Sequence, residues 1–427
     1  MIRKFLLLLI VIFCGSVCFC EEAEKVDLKT AIDLALQNNI NQYKKDVEIA
    51  ENNIKVANRL QNPTIKNFWN FGTACKGNPN QIGLAQTIEL FKRIGRKNLA
   101  KANYEIAVQE YENKKFQLEM NVAEAYVKLV VAKSLLKKCE RQRAFHEKLL
   151  KMSNISQKEK SLDIIEAKIA LNQIINEVNK AKANEKSAML EFNKVINSLN
   201  HNYDSIDTEI TKNNNIKGIN IPSSAAKLPN FKDIEDTAIE NRLDIKIAKS
   251  TIDAANKNLT VVIRQRIPDL EVTGGYGFQP GKTSDSGNFE SGAYLEACIV
   301  NIPILYTYRP EIRNAKLEIE KANLNYLSVV NQAKKDIEIA YEKFLTAQLN
   351  LESYNDSILK DSEELFTLFE KMYKEKPLDF ASLAAVEESY QDLIVGYSEA
   401  LSDYYLGWID FLRETNSKDF TFDKENL

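Results

Sequence analysis

Turn-forming residues are scarce: 14 Gly and 9 Pro stand among 427 residues, where Gly alone ordinarily makes up about 7% of a chain. They cluster in two places, and the stretches between those places read as long helix. Histidine is scarcer still, at two residues, His146 and His201. Both lie in hydrophilic surroundings with no Cys nearby, which argues against a metal site or a His-based triad. An excess of charge is also missing. With 57 Lys and Arg against 60 Asp and Glu the net charge is −3, so no polyanion-binding surface and no nucleic-acid partner are expected. The glycines Gly274-Gly275-Tyr276-Gly277 sit inside a strand pattern rather than opening a helix, so they form no phosphate loop; strand curvature or close strand packing explains them. Charge alternation such as Lys133 to Arg143 reads as a solvated helix face. No cofactor, metal or enzyme activity is expected.

Disulfide-forming cysteine is short as well. The chain opens with Arg3-Lys4, an apolar run from Phe5 to Phe13, small residues and then Glu21-Glu22, the pattern of a removable export signal over 1–20. Its apolar run is too short to span a bilayer. The alternative is a lipoprotein signal in which Cys20 or Cys18 becomes the acylated first residue. Removing the signal leaves Cys75, Cys139 and Cys298, an odd and scattered set that does not suit a disulfide framework. They read as small packing residues, with a Cys75–Cys298 bridge as the alternative.

What the chain does have is a duplication. Ala238-Ile239-Glu240-Asn241 lies over Ala35-Leu36-Gln37-Asn38 with Asn256 over Asn53, and at a larger offset Ala340-Tyr341-Glu342-Lys343-Phe344 lies over Ala125-Tyr126-Val127-Lys128-Leu129. Two similar halves follow: a first repeat over 21–200, a linker over 201–230, a second repeat over 231–415 and a polar tail over 416–427. Apolar positions recurring at three and four predict helices from Leu28 to Leu60, Arg96 to Met152 and Ser161 to Leu199. They predict a second set from Asp233 to Arg266, Pro310 to Tyr373 and Asp379 to Glu414. Such lengths belong to coiled coils and helical tubes.

The insertion within each half changes period. Pro63 to Phe91 and Pro268 to Leu305 each alternate apolar and polar residues around a turn, which predicts a β-hairpin. Strands of about ten residues are long enough to cross a membrane when tilted. Four strands cannot close a barrel, and open edges are not tolerated in lipid. Several protomers must therefore share one barrel, and three would supply twelve strands. Phe68, Trp69, Phe71, Tyr276, Phe278, Phe289 and Tyr294 suit a lipid-facing band or its girdles. The competing reading is an exported periplasmic coiled-coil scaffold or adaptor-like protein.

Several motifs occur together in order: Leu28-x-x-Ala31-x-x-x-Ala35-x-x-Asn38, Ala238-x-x-Asn241-Arg242-x-Asp244-Ile245, Ile267-Pro268, and Asn301-Ile302-Pro303-Ile304-Leu305. With the Ala-Tyr helices, they make the mature chain resemble the TolC-like outer-membrane efflux family. Gln86-x-Ile88-Glu89-Leu90-x-x-Arg93-x-Gly95-Arg96 is similar to its heavy-metal-efflux branch. The resemblance implies a mainly α protein with a β-barrel portion, a homotrimer whose twelve-stranded barrel lies in outer-membrane lipid and continues as a periplasmic α-helical barrel. It implies a passive exit duct that docks a periplasmic adaptor and an inner-membrane pump of RND or ABC type. By position it also implies Asp379 as a pore-constriction residue, with Ser382 where some members carry a second acidic residue. Leu162, Asp163, Pro377 and Leu378 fall at the adaptor-docking tips.

Overall fold

The computed structural model describes residues 26–69, 80–155, 161–197, 231–278, 291–354 and 380–416, with positions 216, 219, 221, 364, 367, 368 and 371 besides. The expected export signal therefore lies outside the described residues, as do Cys75, His201, Phe71 and Phe289, and the linker and tail lie mostly outside them.

Helix α1 (Leu28–Asn39) starts at Asp27, whose carboxylate accepts the Thr30 amide at 2.8 Å, satisfying one of the amides that every helix start leaves unpaired. It buries Leu28, Ala31, Ile32 and Ala35. The helix expected as far as Leu60 is interrupted at Ile40, which keeps right-handed helical angles, and resumes as α2 (Asn41–Ala57). The chain then forms β1 (Thr64–Phe68), β2 (Asn80–Ile88), α3 (Lys92–Ile155) and α4 (Ser161–Ile196). Helix α3 begins four residues before the expected Arg96, because Phe91, at a left-handed φ of 61°, turns the chain straight out of the sheet.

The second half follows the same order: α5 (Phe231–Asn241), α6 (Leu243–Arg264), β3 (Asp269–Phe278), β4 (Gly292–Val300), α7 (Arg309–Ser353) and α8 (Phe380–Thr415). The single helix expected from Asp233 to Arg266 breaks at Arg242, whose ψ of 126° leaves the helical region. The continuous span of α7, expected as far as Tyr373, ends at Ser353, where Tyr354 turns to ψ 56°.

The ends of α4 and α8 are closed alike. Asn197 at φ 53° and Asn416 at φ 49° take the left-handed conformation that Asn tolerates at a helix C-terminus. Asn38 and Asn39 at the end of α1 donate to the carbonyls of Ile196 and Val195 at 3.1 and 3.0 Å. At the end of α5, Arg242 donates to the Glu414 carbonyl at 2.9 Å, and Asn416 donates to the Asn241 carbonyl at 3.0 Å. Arg242 also pairs with Asp244 and Glu414, both at 2.7 Å. These charges offset the desolvation of the guanidinium and hold its pKa above the usual arginine value.

Helix α3 packs along α2, α4, α6 and α8, and α7 along α6 and α8. The main core lies where α3, α8 and the ends of α1 and α4 meet, with Met120, Tyr126, Leu129, Phe192, Ile196, Tyr405 and Ile409 nearly inaccessible. Ile216 of the linker is buried there and its amide donates to the Tyr405 hydroxyl at 2.9 Å. Cys139 is buried in a smaller cluster with Ile174, Val178 and Ala181, as expected of a packing residue.

The two hairpins form one antiparallel sheet in the order β1-β2-β3-β4. β2 pairs with β3 along its whole length, from Asn80 opposite Phe278 to Ile88 opposite Leu270, so the halves meet inside the sheet. β1 and β4 are its edges.

Candidate functional site

Residues opposite one another across antiparallel strands share a face. One face of the sheet therefore carries Ile65, Ile82, Leu84, Ile88, Leu270, Val272, Tyr276, Phe278, Ala293, Leu295, Ala297 and Ile299, interrupted by Asn67, Asn80, Gln86 and Gly274. The other carries Thr64, Lys66, Gln81, Thr87, Asp269, Glu271, Thr273, Tyr294, Glu296 and Cys298, with Phe68, Val300 and small residues between.

Along the middle of the sheet the accessibility of these faces is the reverse of what water selects, although Lys66, Phe68 and Glu296 on the outer strands of the polar side are exposed. Leu295 is 80% exposed and Ile65 72%, while Glu271 is 8% and Thr273 4% exposed on the polar side. A half-solvated antiparallel sheet turns its apolar side inward; an apolar outer face around a polar interior is the pattern of a membrane barrel. On the polar side Lys66 pairs with Glu271 across β2, and the Cys298 thiol donates to the same carboxylate at 3.7 Å. Cys298 is a free thiol.

The glycine cluster has its explanation here. Gly275 faces Gly83, and the ring of Tyr294 from β4 lies over both. A Cβ on Gly275 would sit 2.4 Å from the Ile82 carbonyl and 2.7 Å from Gly83 Cα, so close strand packing under an aromatic ring requires glycine. This corrects part of the expected aromatic band. Tyr276 and Phe278 share the apolar face, and Trp69 meets Phe278 edge-on at 5.5 Å. Phe68 and Tyr294, however, fall on the polar face, because strand pairing fixes their parity.

Where helix meets sheet, buried charge fastens the two. Lys92 at the start of α3 pairs with Asp269 at the start of β3 at 2.9 Å, with side chains only 7% and 4% exposed. Asn301 donates to the same carboxylate at 3.0 Å. Arg96 grips Glu89 through both guanidinium ends at 2.5 Å, and Gln61 donates to Glu89 at 3.1 Å. The segment that suggested the heavy-metal branch thus provides the strand-to-helix joint. Sequence reading missed both pairs; Asp269 opening β3 and Glu89 just past the end of β2, carboxylates where strand gives way to helix, were the signal.

At the far end of the helices, Asp379, Pro377 and Leu378 lie outside the described residues. Ser382 falls in the first turn of α8, and Leu162 and Asp163 in that of α4; their side chains are also outside the description. Nearer the core, an open groove of about 570 Å³ runs between α7 and α8, lined by Glu338, Glu342, Lys343, Asn350, Asp403 and Asp410. Among the described residues no group of three or more His, Cys, Asp or Glu could hold a metal ion, and no helix is long and apolar enough to cross a membrane. His146, expected in hydrophilic surroundings, is 3% exposed and stands edge-on to Phe145; burial lowers its pKa to about 4.

No family model matches the chain, and no curated protein matches it. Solved structures do. The Campylobacter jejuni CmeC outer membrane channel aligns with a TM-score of 0.71 at 14% identity over 94% of this chain and 90% of that one. The open state of the Neisseria gonorrhoeae MtrE outer membrane channel gives 0.71 at 18% identity over 91% and 89%. The outer membrane protein VceC of Vibrio cholerae gives 0.69 at 14% identity over 91% and 96%. At such identities the likeness is one of fold, and it spans nearly the whole length of each partner: the chain has the TolC-like channel fold.

Proposed function

We propose that this chain is the outer-membrane exit duct of a tripartite efflux or type I secretion system, a passive conduit without a catalytic step. The observation that carries this reading is the inverted pattern of the sheet, whose apolar face is open at Ile65, Ile82, Leu84 and Leu295 while Asp269, Glu271 and Thr273 of the polar face are enclosed, on a chain with the fold of outer membrane channels. The free edges β1 and β4 support a homotrimer, in which β4 of one protomer pairs with β1 of the next. Twelve strands then close a barrel in outer-membrane lipid, with Lys66, Glu271 and Glu296 toward its lumen. The helices continue the tube through the periplasm as two repeats, 21–200 and 231–415, joined by the linker over 201–230. The matching closure of α4 and α8 by Asn197 and Asn416 supports that division.

At the periplasmic mouth, Asp379 immediately precedes α8, and a ring of three would narrow the entrance with negative charge; Ser382 lies within the next turn. Leu162, Asp163, Pro377 and Leu378 are the surfaces offered to a periplasmic adaptor, which couples the duct to an inner-membrane pump of RND or ABC type.

The test is the mass and single-channel conductance of protein extracted from membranes, with Asp379→Ala alongside. A trimer forming cation-preferring pores is expected, with weaker cation preference and weaker block by multivalent cations in the variant. Trimeric pores indifferent to the substitution would keep the duct and remove Asp379 from its mouth. A water-soluble monomer without conductance would overturn the duct.

A further inference from the structure

Where the sheet gives way to helix, the chain displays large apolar side chains that no described residue covers. In the link from β4 to α7, Ile302 is 53%, Ile304 78%, Leu305 100% and Tyr306 51% exposed. The link from β2 to α3 exposes Leu90 and Phe91 in the same way, at 40% and 62%. Each link delivers an aromatic residue in the left-handed conformation to the helix start, Phe91 at φ 61° and Tyr308 at φ 54°, an arrangement that bulky residues rarely adopt. Fixed contacts hold these links. Arg264 donates to the Phe91 carbonyl at 2.8 Å and Arg266 to the Thr307 carbonyl at 2.7 Å. The Tyr306 hydroxyl donates to Glu311, and its ring meets Tyr308 edge-on at 5.3 Å.

Immediately beyond lie cations at the unfavourable end of a helix. α3 opens Lys92-Arg93-Ile94-Gly95-Arg96-Lys97 with no acidic residue in its first turn, and α7 opens with Arg309 and Arg313 on either side of a single acidic residue, Glu311, which accepts from Tyr306. Positive charge at a helix N-terminus opposes the helix dipole, so helix stability does not account for it. Lys92 and Arg96 are neutralised by Asp269 and Glu89. Among the described residues Arg93, Arg309 and Arg313 have no ion-pair partner.

We propose that this band is a membrane-surface collar: Ile302, Ile304, Leu305 and Phe91 enter the acyl region of the phospholipid leaflet nearest the helices, and Arg93, Arg309 and Arg313 hold the phosphates of anionic headgroups. The inference rests on the sheet spanning the membrane. It is continuous with the sheet's apolar face, because Ile88, Leu270 and Ile299 lie side by side at this end. Going outward, the chain presents aliphatic strand, then aromatic link, then arginine, the order in which a bilayer passes from hydrocarbon to interface to phosphate. A second protomer is the competing cover for Leu305. An apolar subunit contact has no use for unpaired arginines beside it, and the phospholipid leaflet has.

The experiment uses the full chain in phosphatidylethanolamine vesicles containing phosphatidylglycerol, with Leu305→Trp and Leu295→Trp made separately. The added emission of each over the parent is read against acyl chains brominated near the glycerol or near the methyl end, and against aqueous iodide. Leu295→Trp is expected to be quenched most by the deep bromines and Leu305→Trp by the shallow ones. If Leu295→Trp is quenched by bromine while Leu305→Trp responds to iodide, or to neither quencher, the collar falls and the spanning sheet stands. If Leu295→Trp itself escapes the bromines, the spanning sheet falls and the collar with it. For the headgroups, Arg309→Gln with Arg313→Gln should leave the oligomer intact and lower its retention of phosphatidylglycerol, read by native mass spectrometry, about fivefold per arginine. Retention unchanged in the double variant would remove the phosphate contacts.

Discussion

His146 carries a conflict between sequence neighbourhood and fold. Charged residues flank it in the chain, yet the packing of α3 excludes water from its ring and lowers its pKa to about 4 against an ordinary 6.5. A proton therefore binds the unfolded chain more readily than the folded one. The stabilisation is whole above pH 6.5 and is lost as pH falls toward 4. At about 1.4 kcal/mol for each tenfold difference in proton affinity it is worth roughly 3 kcal/mol. His146→Leu should flatten the acid side of a Tm-against-pH curve followed by helical circular dichroism, while changing little at pH 8; an unaltered acid limb would show that other groups set it. The same residue shows what sequence could not yield, since burial is a property of how several helices come together. Phe68 and Tyr294 make the point within the sheet: their apolar character was legible, but the face each occupies is set by cross-strand pairing.

At the scale of elements, the hairpins and long helices were legible because period two and the three-and-four spacing leave separate marks on the chain. The breaks at Ile40 and Arg242 were not. Ile40 keeps helical angles and at Arg242 one residue with altered angles leaves the apolar spacing on either side intact, its cause being a set of contacts with Glu414, far along the sequence. The joint between Lys92 and Asp269 was hidden for the same reason. Here a charge removed from water is compensated by one partner, so Lys92→Met alone should cost about 3–5 kcal/mol. Combining it with Asp269→Asn should recover most of that loss, because no lone charge stays buried and Asn301 keeps an acceptor. Denaturant midpoints of the two variants in detergent decide the matter: equal losses in both would mean that the pair contributes no charge coupling.

For the molecule as a whole, the deciding variable is the solvent that the apolar face of the sheet meets. Leu295→Arg separates the possibilities by sign. In water, an arginine replacing a leucine that is 80% exposed is harmless or helps solubility. At the middle of a bilayer it costs about 2–4 kcal/mol. The variant should therefore reach the membrane fraction in reduced amount and lose heat-resistant oligomer, whereas undiminished yield would place that face outside lipid. Period-two hairpins and the family likeness brought the channel fold within reach of the sequence.

The seam between β2 and β3 also imposes an order in time. Asn80 meets Phe278 there, so the joining of the sheet's two hairpins waits until α3, α4, α5 and α6 have all been made. Helices need only local contacts and form early, whereas pairings between distant segments form late. The chain thus passes through a stage with its helices and hairpins formed and the β2–β3 seam still open, the stage most prone to aggregation. Its folding is safe only if those strands reach lipid, or one another, before they reach a neighbouring chain.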